Sequence, residues 1–131
     1  MGIHSEAILN RKYMEMIKLL NVYLNHFPKF EKYALCSNIR NTAYGVYDLI
    51  TECQKRYYKK TSLVNLDIEH EKLRMQIHLA NELGYFNFKD GRKDEKINGV
   101  KKYLAISRVI DEIGKIIGAW INKLKQQGNF S

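Results

Sequence analysis

Apolar residues in this chain recur in four blocks, at steps that alternate between three and four. In the first block they are Tyr13, Ile17, Leu20, Leu24 and Phe27. The second block carries Leu35, Ile39, Thr42, Val46, Leu49 and Cys53 on the same rhythm. The third runs Leu63, Leu66, His70, Leu73, Ile77, Ala80 and Leu83 or Gly84, and the fourth Tyr103, Ile106, Ile110, Ile113, Ile117, Trp120 and Leu124. That alternation is the seam of packed antiparallel or coiled helices, and no block has the period of two of a half-buried strand. Short connections between long helices predict an all-α, up-down-up-down four-helix bundle. The expected helices span about 7–26, 29–59, 62–88 and 98–126, within one domain over 1–131.

The breaks have local causes. Phe27-Pro28 separates the first two helices, because Pro restricts the residue before it and suits a first helical turn. Lys59-Lys60-Thr61-Ser62 ends the second, and either hydroxyl is a candidate cap for the third. Lys89-Asp90-Gly91-Arg92 reads as the last turn. Two glycines, Gly114 and Gly118, interrupt the fourth helix beside Trp120, the only tryptophan. A helical Gly costs about 1 kcal/mol relative to Ala. The pair therefore predicts close approach of another backbone, so that a larger residue at Gly118 would overpack the site by ~1–3 kcal/mol. Ile68, Met75, Leu79 and Phe86 on the third helix, and Ala43, Ile50 and Tyr57 on the second, form further apolar edges. These either widen the core stripe or form a surface on which copies of the bundle associate.

No apolar run approaches the ~20 residues of a transmembrane helix, and the N-terminus lacks a charged-then-apolar signal pattern. Cys36 and Cys53, on one expected helix, stand about 25 Å apart at ~1.5 Å per residue and cannot form a disulfide within the chain. Both read as small buried hydrophobes in a cytoplasmic protein.

A catalytic centre is not expected. Asp67 precedes His70 at the spacing used by di-metal bundles, but no second such pair exists: Tyr23 stands before His26 and Met75 before His78. His70 and His78 are too far apart for a zinc-protease helix, and His4 has no partner motif. No glycine-rich phosphate loop follows a strand, and neither cysteine has the setting of a nucleophile. The reading is a binding or assembly protein with no metal and no cofactor.

Net charge is +8, which makes polyanions the first partners to consider. Lys55, Arg56, Lys59 and Lys60 cluster at the end of the second helix, interleaved with Tyr57 and Tyr58, whose rings could stack on unpaired bases. Lys101, Arg108 and Lys115, spaced by seven, align on the fourth helix opposite its seam. Glu112 lies within helix-pair reach of both Arg108 and Lys115, so part of that row could be intrahelical ion pairing.

Three stretches, in order, resemble one family. They are Phe27-Pro28-Lys29-Phe30-Glu31-Lys32-Tyr33-Ala34-Leu35 running on to Ile39-Arg40; Leu73-Arg74; and Tyr103 followed by Asp111-Glu112-Ile113-Gly114-Lys115-Ile116-Ile117-Gly118-Ala119-Trp120. Together they resemble the accessory variability determinant (Avd) proteins of diversity-generating retroelements. Those belong to a wider four-helix group that includes the ribosomal-RNA intervening-sequence proteins. The likeness covers about residues 11–124, and the third stretch is its most specific part. The motif positions it marks are Pro28, Arg74, Gly114, Gly118 and Trp120. The family often has Gly-Gly-Trp where this chain has Gly118-Ala119-Trp120, Arg where it has Lys115, and a further Arg where it has His78.

The resemblance implies a basic homopentamer that performs no chemistry. It would bind a reverse transcriptase and RNA or DNA and support mutagenic copying of a template repeat. The alternative is an intervening-sequence-type bundle with a structural or assembly role and no polymerase partner.

Overall fold

The computed structural model describes residues 3–128, with side chains described from Ser5 onward. The outermost residues of the expected 1–131 domain (1, 2 and 129–131) and the His4 side chain lie outside the described residues. Four helices, α1 (Ile3–Leu24), α2 (Leu35–Lys55), α3 (Lys60–Glu82) and α4 (Gly99–Gln126), form an antiparallel bundle. Each helix packs on its two neighbours around a square, α1 on α2 and α4, and α3 on α2 and α4.

Most of the seam positions make this core; Ile17, Leu35, Thr42, Leu49 and Tyr103 are half-buried, Leu83 is exposed past the end of α3, and Leu9, Met16 and Cys36 are buried outside the expected seam. Ile106, Ile110, Ile113, Ile117, Trp120 and Leu124 of α4 are all buried, facing Leu9, Tyr13, Met16 and Leu20 of α1. Tyr13 donates its hydroxyl to the Ala43 carbonyl across the α1–α2 contact. Burial pushes its phenol far above the ordinary tyrosine range. The apolar edge of α2 widens the stripe, since Ala43 and Ile50 are buried while Tyr57 is exposed. The edge of α3 splits differently. Phe86 is core, but Ile68, Met75 and Leu79, joined by Val64, are exposed opposite the seam.

Helix bounds differ from the sequence expectation at the connections. The second helix does not start at residue 29. A 3-10 turn, Lys29–Glu31, follows Pro28, and α2 begins at Leu35. Ala34, at φ −116° and ψ −101°, is not helical, and Glu31 braces the junction: one carboxylate oxygen accepts from the Leu35 N–H at 3.3 Å and the other from the Tyr85 hydroxyl at 2.6 Å. At the far end α2 stops at Lys55, because Arg56 is extended. Neither Thr61 nor Ser62 caps α3. The helix starts at Lys60, and its N-cap Lys59 offers no side-chain bond.

The third helix ends at Glu82 rather than 88, where Gly84 takes a left-handed φ of 78°. A second 3-10 turn, Tyr85–Asn87, then swings Tyr85 and Phe86 under Phe27, at ring separations of 5.6 and 5.3 Å. The expected last turn is a hairpin. Strands β1 (Phe88–Lys89) and β2 (Arg92–Lys93) pair antiparallel. Asp90 and Gly91 both have positive φ, 51° and 82°, the two-residue turn that fits strand twist. Asn98 caps α4 by accepting the Lys101 N–H at 3.0 Å.

Candidate nucleic-acid interface

Lys101, Arg108 and Lys115 are exposed along α4, on the side turned from the buried seam. Fourteen residues of helix separate the first from the last, ~21 Å of axis. None of the three joins an ion pair among the described residues. Asp111 and Glu112 both stand at helix-pair spacing from Arg108 and Lys115; Asp111 joins no ion pair among the described residues, and Glu112 instead accepts the Lys12 ammonium of α1 at 2.6 Å. The Lys12 bond holds the Glu112 carboxyl below its ordinary value, with smaller pulls from Lys115 and Arg108. The row therefore keeps its charge.

The cluster between α2 and α3 divides into three roles. Arg56, just past the end of α2, is bound back to Glu52 of that helix at 2.7 Å. Lys59 folds back, donating to the Cys53 and Arg56 carbonyls and so closing the open C-terminus of α2. Its ammonium also lies 6.0 Å from the Trp120 ring centroid. Lys55 and Lys60 point outward without an ion-pair partner among the described residues, beside Tyr57 and Tyr58. Those two rings are 88% and 74% exposed and meet edge-on at 4.9 Å.

The motif residues resolve as follows. Pro28 is buried and accepts the Glu31 N–H at 3.0 Å, opening the 3-10 turn. Arg74 is exposed and binds Glu71 one turn back, through Nε at 3.0 and 3.1 Å. Trp120 is buried, its Nε1 without an acceptor among the described residues. The glycines do not mark a close backbone approach. A Cβ on Gly114 would stand 3.6 Å from the His70 ring, and one on Gly118 would meet nothing within 4 Å among the described residues.

His70 fills the space beside Gly114. Its Nε2 lies 2.8 Å from the Ile110 carbonyl, which can only accept, so Nε2 carries the proton and Nδ1 has no partner among the described residues. Burial lowers its pKa, against smaller upward pulls from that bond and from Asp67, Glu71 and Asp111.

A second group of cations lies at the hairpin end of the bundle and does not stand out in the sequence reading. Lys29, Lys32 and Arg40 surround one cavity there, and Lys89, Arg92 and Lys93 follow on the hairpin. The signal in the sequence is the charge that flanks the Asp90-Gly91 turn.

Among the described residues no group of three His, Cys, Asp or Glu side chains is arranged to hold a metal ion. No described helix is long and apolar enough to cross a membrane. A comparison with curated proteins gives no match. The bAvd-like family model matches residues 7–124. That range takes in nearly all of the bundle, from the first turns of α1 to the buried Leu124, and with it the row on α4. The chain thus belongs to the bAvd-like family.

Proposed function

We propose that this protein is the non-enzymatic accessory subunit of a diversity-generating retroelement. In that role it holds the reverse transcriptase and its nucleic acid together during mutagenic copying. The observation that carries the reading is the exposed row Lys101, Arg108 and Lys115, which joins no ion pair among the described residues although Asp111 and Glu112 stand at helix-pair spacing, Glu112 being bound to Lys12 instead. A line of cations along a rigid helix can track a phosphate backbone, and each neutralised phosphate adds a salt-dependent increment to binding. Lys55 and Lys60 beside the exposed Tyr57 and Tyr58 supply a second contact, in which bases stack on the rings.

The open apolar face of α3, with Val64, Ile68, Met75 and Leu79, supports assembly of copies, and the family resemblance makes a pentamer the expected form. In a ring the basic patches repeat, so weak contacts add. Light scattering should give a mass near five times the 15.5 kDa chain; a clean monomer at micromolar concentration would remove the assembly.

Anisotropy titration of a labelled oligonucleotide at several salt concentrations tests the nucleic-acid role. Binding should be largely independent of sequence and fall steeply with salt. Arg108→Gln with Lys115→Gln should weaken it and flatten the salt slope without loss of helicity. Absence of binding by the wild type at low salt would end the nucleic-acid half of the proposal. Failure to co-purify with a reverse transcriptase encoded at the same locus would leave the intervening-sequence-type assembly role instead.

A further inference from the structure

The α1–α2 connection and the hairpin tip enclose a cavity of about 320 Å³ at the opposite end of the bundle from Tyr57 and Tyr58. That volume lies at the lower end of small-molecule pockets. Leu24, Phe27, Pro28 and Cys36 give it an apolar floor, and Lys29, Lys32 and Arg40 stand around it. Asp90 is the one carboxylate among the lining residues, and it lies 3.3 Å from His26 Nδ1.

Arg40 is the informative wall. Its Nε donates to Asn21 Oδ1 at 3.0 Å and its Nη2 to Asn25 Oδ1 at 2.9 Å. Both acceptors are neutral amides, so the guanidinium is fixed in place while its charge is not cancelled. Among the described residues two of its five N–H donors are used, which leaves three for a ligand. Lys29 and Lys32 form no ion pair among the described residues. Glu31, the nearby acid, accepts from Tyr85 and the Leu35 N–H and is not among the lining residues.

The pocket is also built shut at one edge. The Gly91 N–H donates to the His26 carbonyl at 3.2 Å, and the Asp90 N–H to His26 Nδ1 at 3.1 Å. A Cβ on Gly91 would stand 2.7 Å from Lys29 Cγ, so glycine lets the hairpin tip close on the Lys29 stem.

We propose that this cavity binds a nucleotide carrying a phosphate monoester, with Arg40, Lys29 and Lys32 on the phosphate and the base or sugar against Leu24, Phe27 and Pro28. A monoester carries about −1.5 to −2 charge at pH 7 and so matches the three cations that line this cavity better than a carboxylate does. The volume exceeds what a bare phosphate needs, and the apolar floor calls for a body attached to it. The nucleotide is either free or the phosphorylated end of a strand. The site stands on its own geometry and does not depend on the α4 row.

Calorimetric titration with adenosine monophosphate and with adenosine tests the proposal. The nucleotide should bind at least about tenfold more tightly, the loss of one or more charge-assisted bonds in the nucleoside. Amide NMR shifts should centre on Asn25, Lys29, Arg40 and Gly91. Lys29→Gln with Lys32→Gln, both exposed and remote from the core, should weaken the nucleotide about tenfold with helicity unchanged. Arg40→Lys keeps the charge but loses the fork and should weaken it as well. Arg108→Gln with Lys115→Gln should leave it unaltered. Oligonucleotides with and without a terminal phosphate assign the source: tighter binding of the phosphorylated strand identifies a strand end, and equal binding identifies the free nucleotide. Equal affinity for adenosine and its monophosphate, or unchanged affinity in the lysine pair, overturns the site.

Discussion

Lys12 Nζ lies 2.6 Å from Glu112 Oε2, joining α1 to α4 across a hundred residues of sequence. The pair is exposed and adds little to stability. Its consequence is electrostatic: it takes Glu112 away from Arg108 and Lys115. Lys12→Met should return Glu112 to those two and weaken oligonucleotide binding. Lys12→Met with Glu112→Gln should recover most of the loss, although the double variant still lacks Lys12. Anisotropy titrations at low salt decide. Equal weakening in the single and double variants would mean that Lys12 acts as a contact and not through Glu112.

Gly118→Ala should stabilise the bundle by about 0.5–1 kcal/mol, because a helical Gly becomes Ala with no neighbour to displace. Gly99→Ala should do the opposite. Its Cβ would fall 2.2 Å from Asn87 Oδ1, the atom that accepts the Gly99 N–H at 3.1 Å. Urea melts of both variants measure the two signs. A Gly118→Ala variant less stable than wild type would place another copy of the chain against that face.

Trp120→Ala should cost ~3–5 kcal/mol, the usual range for removing a buried large aromatic. Lys59→Met should cost about 1 kcal/mol, through the lost contacts to the Cys53 and Arg56 carbonyls. Lys55→Gln and Lys60→Gln should leave stability within about 0.5 kcal/mol, as exposed substitutions do. Thermal denaturation separates the three lysines. If Lys59→Met melts like wild type, its ammonium belongs with the binding residues after all.

The buried imidazole makes stability depend on pH. The pKa of His70 is lowered in the fold, so the unfolded chain binds more protons as pH falls through the ordinary histidine range near 6.5. Its contribution is full above that value and declines below it. Unfolding free energy should therefore drop between about pH 7 and 5.5, and His70→Gln, which can still donate to the Ile110 carbonyl, should flatten that window. Denaturant titrations across the range test this. An unchanged slope in the variant would assign the effect to other histidines.

The core was legible in the sequence because a helix carries its periodicity in its own chain. Ile106, Ile110, Ile113, Ile117, Trp120 and Leu124 repeat at three and four, and any partner surface would bury that stripe first. Pro28 and Asp90-Gly91 marked real turns for equally local reasons. Charge and glycine meaning were different. Gly114 and Gly118 signalled a close approach, yet whether atoms stand opposite a glycine depends on how neighbouring helices are rotated. Glu112 has cations four residues before and three after it, and local spacing favours them. The winning partner comes from α1, because helix register sets which side chains face each other across a groove. Lys29, Lys32 and Arg40 likewise become a group only when the hairpin closes over the α1–α2 connection. The sequence by itself determined four helices and their buried stripes; the tertiary structure alone decided which charges are cancelled and which converge, since those distances run between elements and not along one.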